Sequence, residues 1–227
     1  MDHDSIVHLP PGYPEDGRRY AVLYPRDGRN LFDPATAYGG QAWRADETAS
    51  MLIRDGEVDP LILVGIYNAG QAHHYGRMLM EELNPFIDSE YRIPPDARHT
   101  GIGDSWLGGL VPLTIGLRYP DIFGKLAVMS PPVWRDHRAI PRTVAANPLH
   151  SSPRMWLDIG TAEGQNTTED ARQLRDMLSG KSQRDGLDLA YYEAGGAGHN
   201  ERGWGDPRGP MPQFLFPNNG ASSFVVI

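Results

Sequence analysis

Three short runs of mostly apolar residues, separated by segments with a helical pattern, constrain the fold of this chain more than any other feature, and the first of them is apolar throughout. The runs are Leu61–Ile66, Lys125–Met129 and Met155–Ile159. Continuous apolar runs of this length are typical of strands that are covered on both faces, as in parallel sheets. Helical patterns cover about Ala45–Asp55 and Ala72–Ile87. The alternation predicts an α/β fold with a mostly parallel central sheet and helices on both faces.

Weaker patterns complete this organisation. The polar, proline-bearing residues 1–18 predict an extended lead-in or an edge strand, and the proline-rich residues 131–153 predict a loop-rich cap. Two further strands are predicted over Arg19–Tyr24 and over Leu187–Tyr192. A helix is predicted from Thr167, which forms a capping box with Asp170, to about Leu178. Since no linker and no repeat interrupts the chain, we expect a single domain over residues 1–227.

The segment Arg98–Leu110 is the most informative part of the chain for function. It predicts a short strand, a tight turn of small residues and then an amphipathic helix to about Tyr119. A polar side chain at such a strand-to-helix turn forms a nucleophile elbow, in which the N-terminal N–H groups of the helix point toward the exposed side chain. The usual pattern of this turn is Gly-x-Ser-x-Gly.

This chain nearly matches that pattern but departs from it at the centre. If Ser105 is the central residue, Leu107 stands where the last glycine is expected. If Trp106 is central, the last glycine is present at Gly108, but Asp104 replaces the first glycine and the indole replaces the serine. Both alignments keep a hydrolase-type turn, and they differ in the residue that occupies its apex.

Candidates for the other catalytic groups follow in the order known for this elbow, which is nucleophile, acid, histidine. Glu163 comes after the strand that ends at Ile159, and His199 lies in a glycine-rich loop after the strand that ends at Tyr192. The other interpretations are a solvated loop carboxylate and a surface histidine. Asp158 is a rival acid, but its place within a strand favours a structural hydrogen-bonding role.

Composition restricts the partners of the chain. The net charge of −8 and the pI of about 5.4 argue against nucleic-acid binding, which requires a basic face. The absence of cysteine excludes disulfides and thiolate metal sites, and we expect neither a metal nor a cofactor.

The acidic start and the lack of a long apolar run predict a cytoplasmic protein that does not interact with membranes. The apolar tail Phe224–Ile227 predicts an extra edge strand or an intersubunit contact in a homo-oligomer.

From about Tyr20 to Pro217 the chain resembles the putative esterase family, which contains esterase D-like enzymes and enterochelin esterases. The resemblance is carried by Glu82–Ile87, Leu107–Leu110, Gly116–Gly124, Ser130-Pro131, Trp156–Gly164 and His199–Glu201 with Trp204. It implies a metal-free α/β-hydrolase that cleaves carboxylic esters with a serine, a histidine and a supporting acid. The partner is then a small-molecule ester substrate or ligand.

The resemblance also assigns roles to positions in this chain. The side chain at position 106 attacks the ester, His199 transfers the proton and Glu163 orients the imidazole. The oxyanion is bound by the N–H of Leu107 and by the loop at Asp27. Two further residues, Arg26 and Trp134, are predicted to line the substrate pocket.

The departures from the family pattern are concentrated in this pocket. A gap-free alignment places Trp106 on the serine, and Pro25-Arg26 replaces a Leu-His pair. The alternative alignment, which keeps Ser105 as the nucleophile and treats Trp106 as an insertion, is disfavoured because one added residue rotates the following helix by about 100°.

The sequence predicts an esterase-like protein with reduced or altered acyl transfer. The alternative is a non-catalytic ligand-binding protein on the same scaffold.

Overall fold

The structure is a computed structural model that describes residues 4–13, 15–67, 72–134, 142, 153–180, 189–198 and 210–218, with the backbone alone at 72–74 and 107. Most of the predicted cap, the tail Phe224–Ile227 and His199 lie outside these residues. Among the described residues, no helix is long and apolar enough to cross a bilayer.

The centre of the molecule is a seven-stranded sheet with the order β1-β3-β2-β4-β5-β6-β7. The strands are β1 Ser5–His8, β2 Ala21–Pro25, β3 Leu61–Ile66, β4 Thr100–Ser105, β5 Lys125–Met129, β6 Arg154–Gly160 and β7 Leu189–Ala194. Only β1 is antiparallel to its neighbour, β3, among these strands. The predictions of a mostly parallel sheet and of an edge strand near the start of the chain are therefore confirmed.

The helices are α1 Gly28–Leu31, α2 Ala45–Arg54, α3 Ala72–Met78, α4 Asn84–Glu90, α5 Val111–Arg118, α6 Gln165–Ser179 and α7 Met211–Leu215. The single helix predicted over Ala72–Ile87 is wrong, because a π-helical segment at Leu79–Leu83 separates α3 from α4. Pro85 explains the break, since it has no N–H to continue the α-helical ladder and its ring displaces the carbonyl four residues before it.

The start of α6 also differs from the prediction. The helix begins at Gln165, directly after Gly164, whose φ is 117°, and no side chain caps its first turn. The Thr168 hydroxyl instead donates to the Gly164 carbonyl at 3.1 Å. The predicted capping box of Thr167 and Asp170 is wrong, because the glycine turn starts the helix earlier in the sequence.

Alternate strand residues pack into two cores on opposite faces of the sheet. One core combines Val22, Ile102, Leu126 and Leu157 with residues of α3 and α5, and the other combines Leu23, Leu63, Met129 and Trp156 with residues of α2 and α7. Helix α5 lies close to β5, since a Cβ on Gly116 would be 2.5 Å from Leu126 Cδ2. Helices thus cover both faces, as predicted, and the strand ends that carry the candidate site meet at one edge.

Candidate active site

The turn between β4 and α5 has the geometry of an elbow with Trp106 at its apex. Ser105 ends the strand in an extended conformation (φ −123°, ψ 166°), whereas Trp106 has a φ of 52°. Positive φ is rare for a bulky residue and marks a sharp turn held by its surroundings. The Gly109 N–H donates to the Trp106 carbonyl at 2.8 Å and closes the turn.

The two candidate apex residues differ in exposure. The Trp106 side chain is half-exposed (52 %), whereas Ser105 is buried (6 %) at the last position of β4. Leu107 follows the apex in a 3₁₀ turn that spans Trp106–Gly108. The structure therefore presents the indole, and not the Ser105 hydroxyl, at the point where the chain changes direction.

Close packing explains why glycines follow the apex. A Cβ on Gly109 would lie 2.6 Å from the Met129 carbonyl oxygen and 3.0 Å from Pro131 Cα. A Cβ on Gly108 would lie 1.8 Å from an Asp104 carboxylate oxygen. The turn is thus fixed against the end of β5 on one side and against a buried carboxylate on the other.

That carboxylate forms an ion pair which sequence reasoning did not find. Asp104 is 4 % exposed, and its Oδ2 lies 3.1 Å from Nη1 of Arg26. Its Oδ1 accepts a hydrogen bond from the Ser105 N–H at 2.7 Å. Burial raises the pKa of Asp104 to about 7, although the Arg26 guanidinium acts in the opposite direction.

Arg26 is positioned from the other side by an aromatic ring. Its guanidinium carbon lies 5.3 Å from the ring centroid of Tyr75, a residue of α3. The Tyr75 hydroxyl is buried without a hydrogen-bond partner in the described structure, and burial raises its pKa. The predicted pocket-wall residue Arg26 therefore bridges the loop after β2 and the elbow, a role that the sequence analysis did not assign to it.

The predicted oxyanion loop turns sharply directly after Arg26. Asp27 has a φ of 69°, and its carboxylate accepts a hydrogen bond from the Asn30 amide. The next residue, Gly28, is in close contact with β3, because a Cβ there would be 2.9 Å from the carbonyl carbon of Ile66. Asp27 and the elbow share this sheet edge, since the neighbouring Pro25 and Gly103 are paired in register.

The predicted acid, Glu163, is held at the same edge by the end of β5. Glu163 Oε1 accepts hydrogen bonds from the Ser130 hydroxyl at 2.6 Å and from the Gly160 N–H at 3.0 Å. Ser130 is buried and has a φ of 43°, and its N–H donates to both the carbonyl and the carboxylate of Asp158, each at 3.1 Å. Sequence reasoning missed Ser130, although its place directly after a buried strand is a signal for a site residue in this type of sheet.

Asp158 has the structural contacts that its place within a strand predicted. Its Oδ2 accepts a hydrogen bond from Nε1 of Trp156 at 2.7 Å. Burial raises the pKa of Asp158 to about 6, and the hydrogen bonds from Trp156 and Ser130 oppose this shift. The structure therefore brings Asp158 and Glu163 together through Ser130.

The remaining predicted residues are less constrained. Trp134 lies beyond β5 in the turn that follows Pro131-Pro132, and it is 57 % exposed. His199 directly follows Gly198, which is the last described residue of its loop. Among the described residues, no group of three histidine or acidic side chains is arranged to hold a metal ion.

Comparison with known proteins identifies the family. The model of the family described as "Putative esterase" matches residues 2–206, and the chain belongs to this family. Over 198 residues the chain is 27 % identical to the protein YjcH of Bacillus subtilis, and the match covers 78 % of each chain.

Solved structures agree on the architecture. The BES protein from Bacillus cereus is 20 % identical with a TM-score of 0.73, and the match covers 94 % of this chain and 89 % of that one. The enterobactin esterase FES from Shigella flexneri is 17 % identical with a TM-score of 0.74, and the match covers 94 % and 54 %. The chain therefore has the α/β-hydrolase fold of an esterase-like protein.

Proposed function

We propose that this chain is an ester-binding member of the esterase family in which acyl transfer is strongly reduced because Trp106 occupies the nucleophile position. The observation that carries the proposal is the exposed indole at the apex of the elbow, where φ is 52°. Family membership supports a carboxylic ester as the ligand or substrate.

The chemistry of the side chains supports this view. Acyl transfer needs a nucleophile that a base can deprotonate, and an indole offers only one N–H donor. The oxyanion donors are backbone groups, which for this chain are the N–H of Leu107 and the loop at Asp27, and a side-chain change leaves them in place. Glu163 would orient His199, which would act as a base toward water. A hydrolase that lacks a triad member can still accelerate its reaction about 10³–10⁴-fold over water.

A non-catalytic ligand-binding protein is the second candidate, and the exposed tryptophans favour it. Trp106 is 52 % exposed and Trp134 is 57 % exposed, and both follow strand ends at the same edge of the sheet. Exposed aromatic rings provide large contact areas for small ligands. Under this candidate the indole at the apex contacts the ligand directly, and no turnover accompanies binding.

Steady-state hydrolysis of a p-nitrophenyl ester tests the proposal with Trp106→Ser and, as a matched control, with Phe86→Ser, which removes a similarly exposed ring (56 %) on α4. We expect Trp106→Ser to raise kcat/KM by about 10²-fold or more, because a hydroxyl then stands at the apex. We also expect a fluorophosphonate to label this variant at residue 106. Phe86→Ser should behave like the wild type.

Equal activity in the wild type and in Trp106→Ser would overturn the proposal. Ser105→Ala then identifies the alternative, since loss of the wild-type activity in this variant would assign the attack to Ser105. No hydrolysis in any variant, together with saturable ester binding by the wild type, would favour the ligand-binding candidate.

A further inference from the structure

A long cavity lies on the face of the sheet opposite to α5, below the candidate active site. Its volume is about 900 Å³, within the range of ligand sites in proteins. The sheet contributes Leu61, Leu63, Leu23, Met129 and Trp156 to its floor. All five residues belong to the core that α2 and α7 cover, so the cavity is separate from the Arg26–Asp104 pair on the other face.

The strand register gives the length of the cavity. The strand pairings place three residues at one level of the sheet, namely Leu63 of β3, Leu23 of β2 and Arg154 of β6, which is reached through β4 and β5. The lining residue Leu61 lies two residues below this level, and the lining residue Asp158 lies four residues above it. At a rise of about 3.3 Å per residue, the cavity extends roughly 20 Å along the strands.

Small side chains on α2 leave this space open. Ala45, Thr48 and Ala49 line the cavity from the helix side, and their short side chains fill little of it. The other walls are mainly apolar or aromatic, with Trp43 on one side and Phe216 at the lower end, and Gln41 and Arg44 add polar groups beside Trp43. An elongated apolar space of this kind fits a hydrocarbon chain better than a single ring.

Polar groups are concentrated at the upper end, next to the candidate catalytic residues. Ser130, Asp158 and Glu163 line the cavity there, where the carboxyl ends of the strands form the active-site edge. Arg44 also lines the cavity, but its charge is compensated by Glu47 at 3.2 Å, so the two carboxylates at this end repel an anionic head group. The polar end of the ligand is therefore a neutral carbonyl, as in an ester, and not a free carboxylate.

We propose that this cavity binds the linear aliphatic acyl chain of a neutral ester, with the carbonyl at the upper end beside Ser130, where the elbow packs against the residues that flank Ser130, and the chain end near Leu61 and Phe216. The inference rests on the proposed function, which supplies the ester, and adds the acyl specificity to it. Binding of the chain needs no nucleophile, so the wild-type protein is suitable for the test.

The test is titration of the wild type with uncleavable 2-alkanones, from 2-butanone to 2-tetradecanone, by calorimetry and by tryptophan fluorescence. Because each buried methylene contributes about 0.8 kcal/mol, we expect affinity to rise about fourfold per added methylene until the chain fills the cavity. The carboxylate of matching length should bind at least about tenfold more weakly at neutral pH. Affinity that does not depend on chain length, or preference for the carboxylate, would overturn the proposal.

A pair of variants on one helix tests the location. Thr48→Trp places a large side chain into the cavity, whereas Glu47→Trp adds the same side chain at a neighbouring position that is 59 % exposed. We expect Thr48→Trp to weaken the longest ketones by more than about tenfold and to leave 2-butanone unchanged, and Glu47→Trp to match the wild type. If Thr48→Trp loses its helical circular dichroism signal, Ala45→Leu gives the same test with a smaller change. Unchanged binding of long ketones in a folded variant would overturn the proposed location.

The outcomes separate the two proposals. Wild-type ester turnover equal to that of Trp106→Ser would contradict the proposed function, and the ketone series would still decide the acyl cavity. Absence of ketone binding would contradict the acyl cavity, and the Trp106→Ser result would be unaffected.

Discussion

Asp104 shows how one residue can define the electrostatics of the elbow. A carboxylate at a position where hydrolase elbows carry glycine is buried under the turn and needs a compensating charge, which Arg26 provides at 3.1 Å. The two residues are 78 positions apart in the sequence, and only the pairing of Pro25 with Gly103 brings them together. The sequence could indicate that Asp104 and Arg26 were unusual, but it could not indicate that they are partners, because strand register is not readable from one sequence.

Replacement of Asp104 tests this description through pH. The folded-state pKa of Asp104 is raised to about 7, above its value of about 4 in an unfolded chain, so the folded state holds the proton more tightly between these pH values. Wild-type stability therefore decreases as pH rises through this window. Asp104→Asn has no carboxyl group that titrates at this position. As pH rises from about 5 to 8, the free energy of unfolding of this variant should therefore increase by about 2–3 kcal/mol relative to that of the wild type. Urea unfolding across this range measures the difference, and a constant difference would contradict the raised pKa.

Among the secondary structure elements, the strands were the most predictable. Leu61–Ile66 and Lys125–Met129 were predicted with the bounds that the structure has, because a run of mostly apolar residues is typical of a strand that is covered on both faces. The segment over Ala72–Ile87 was predicted less well, since its apolar spacing fits both α- and π-helical turns. Pro85 was the available signal for the break.

The elbow turn provides a prediction at the scale of an element. Gly108→Ala should destabilise the protein by about 2–4 kcal/mol, because its Cβ would lie 1.8 Å from Asp104 Oδ2 and would displace the carboxylate from Arg26. In an Asp104→Gly background the same change should cost much less, since the three atoms nearest to that Cβ all belong to Asp104. Unfolding free energies of the four proteins form a double-mutant cycle. Additive costs would show that the contact with Asp104 does not restrict position 108.

For the whole molecule, the fold was predicted from the alternation of strands and helices, and the site only in part. The sequence predicted that Glu163 lies at the active-site edge, but not that Ser130 holds it. The positive φ of Ser130 and its contacts with two carboxylates depend on the packing of β5 against β6. The arrangement of His199 relative to Trp106 and Glu163 stays a prediction.

The antiparallel strand β1 has a protective role at the edge of the molecule. It covers β3, in which all six residues are buried and most are apolar. Removal of residues 1–8 would expose the N–H and C=O groups of β3, and an uncovered apolar edge strand pairs with other chains. We expect the shortened protein to form dimers and larger species in size-exclusion chromatography with light scattering, whereas Ser5→Lys, which retains β1, should elute like the wild type. A shortened protein with the wild-type elution volume would contradict this role.

The left-handed backbone at Trp106 has an evolutionary consequence. The turn keeps the sharp geometry of a hydrolase elbow although the residue at its apex carries no hydroxyl. The tryptophan codon differs from one serine codon by a single base, so one point mutation would present a hydroxyl on a backbone that is already bent for it. A lineage with this elbow could acquire a serine at the apex without any rearrangement of its scaffold.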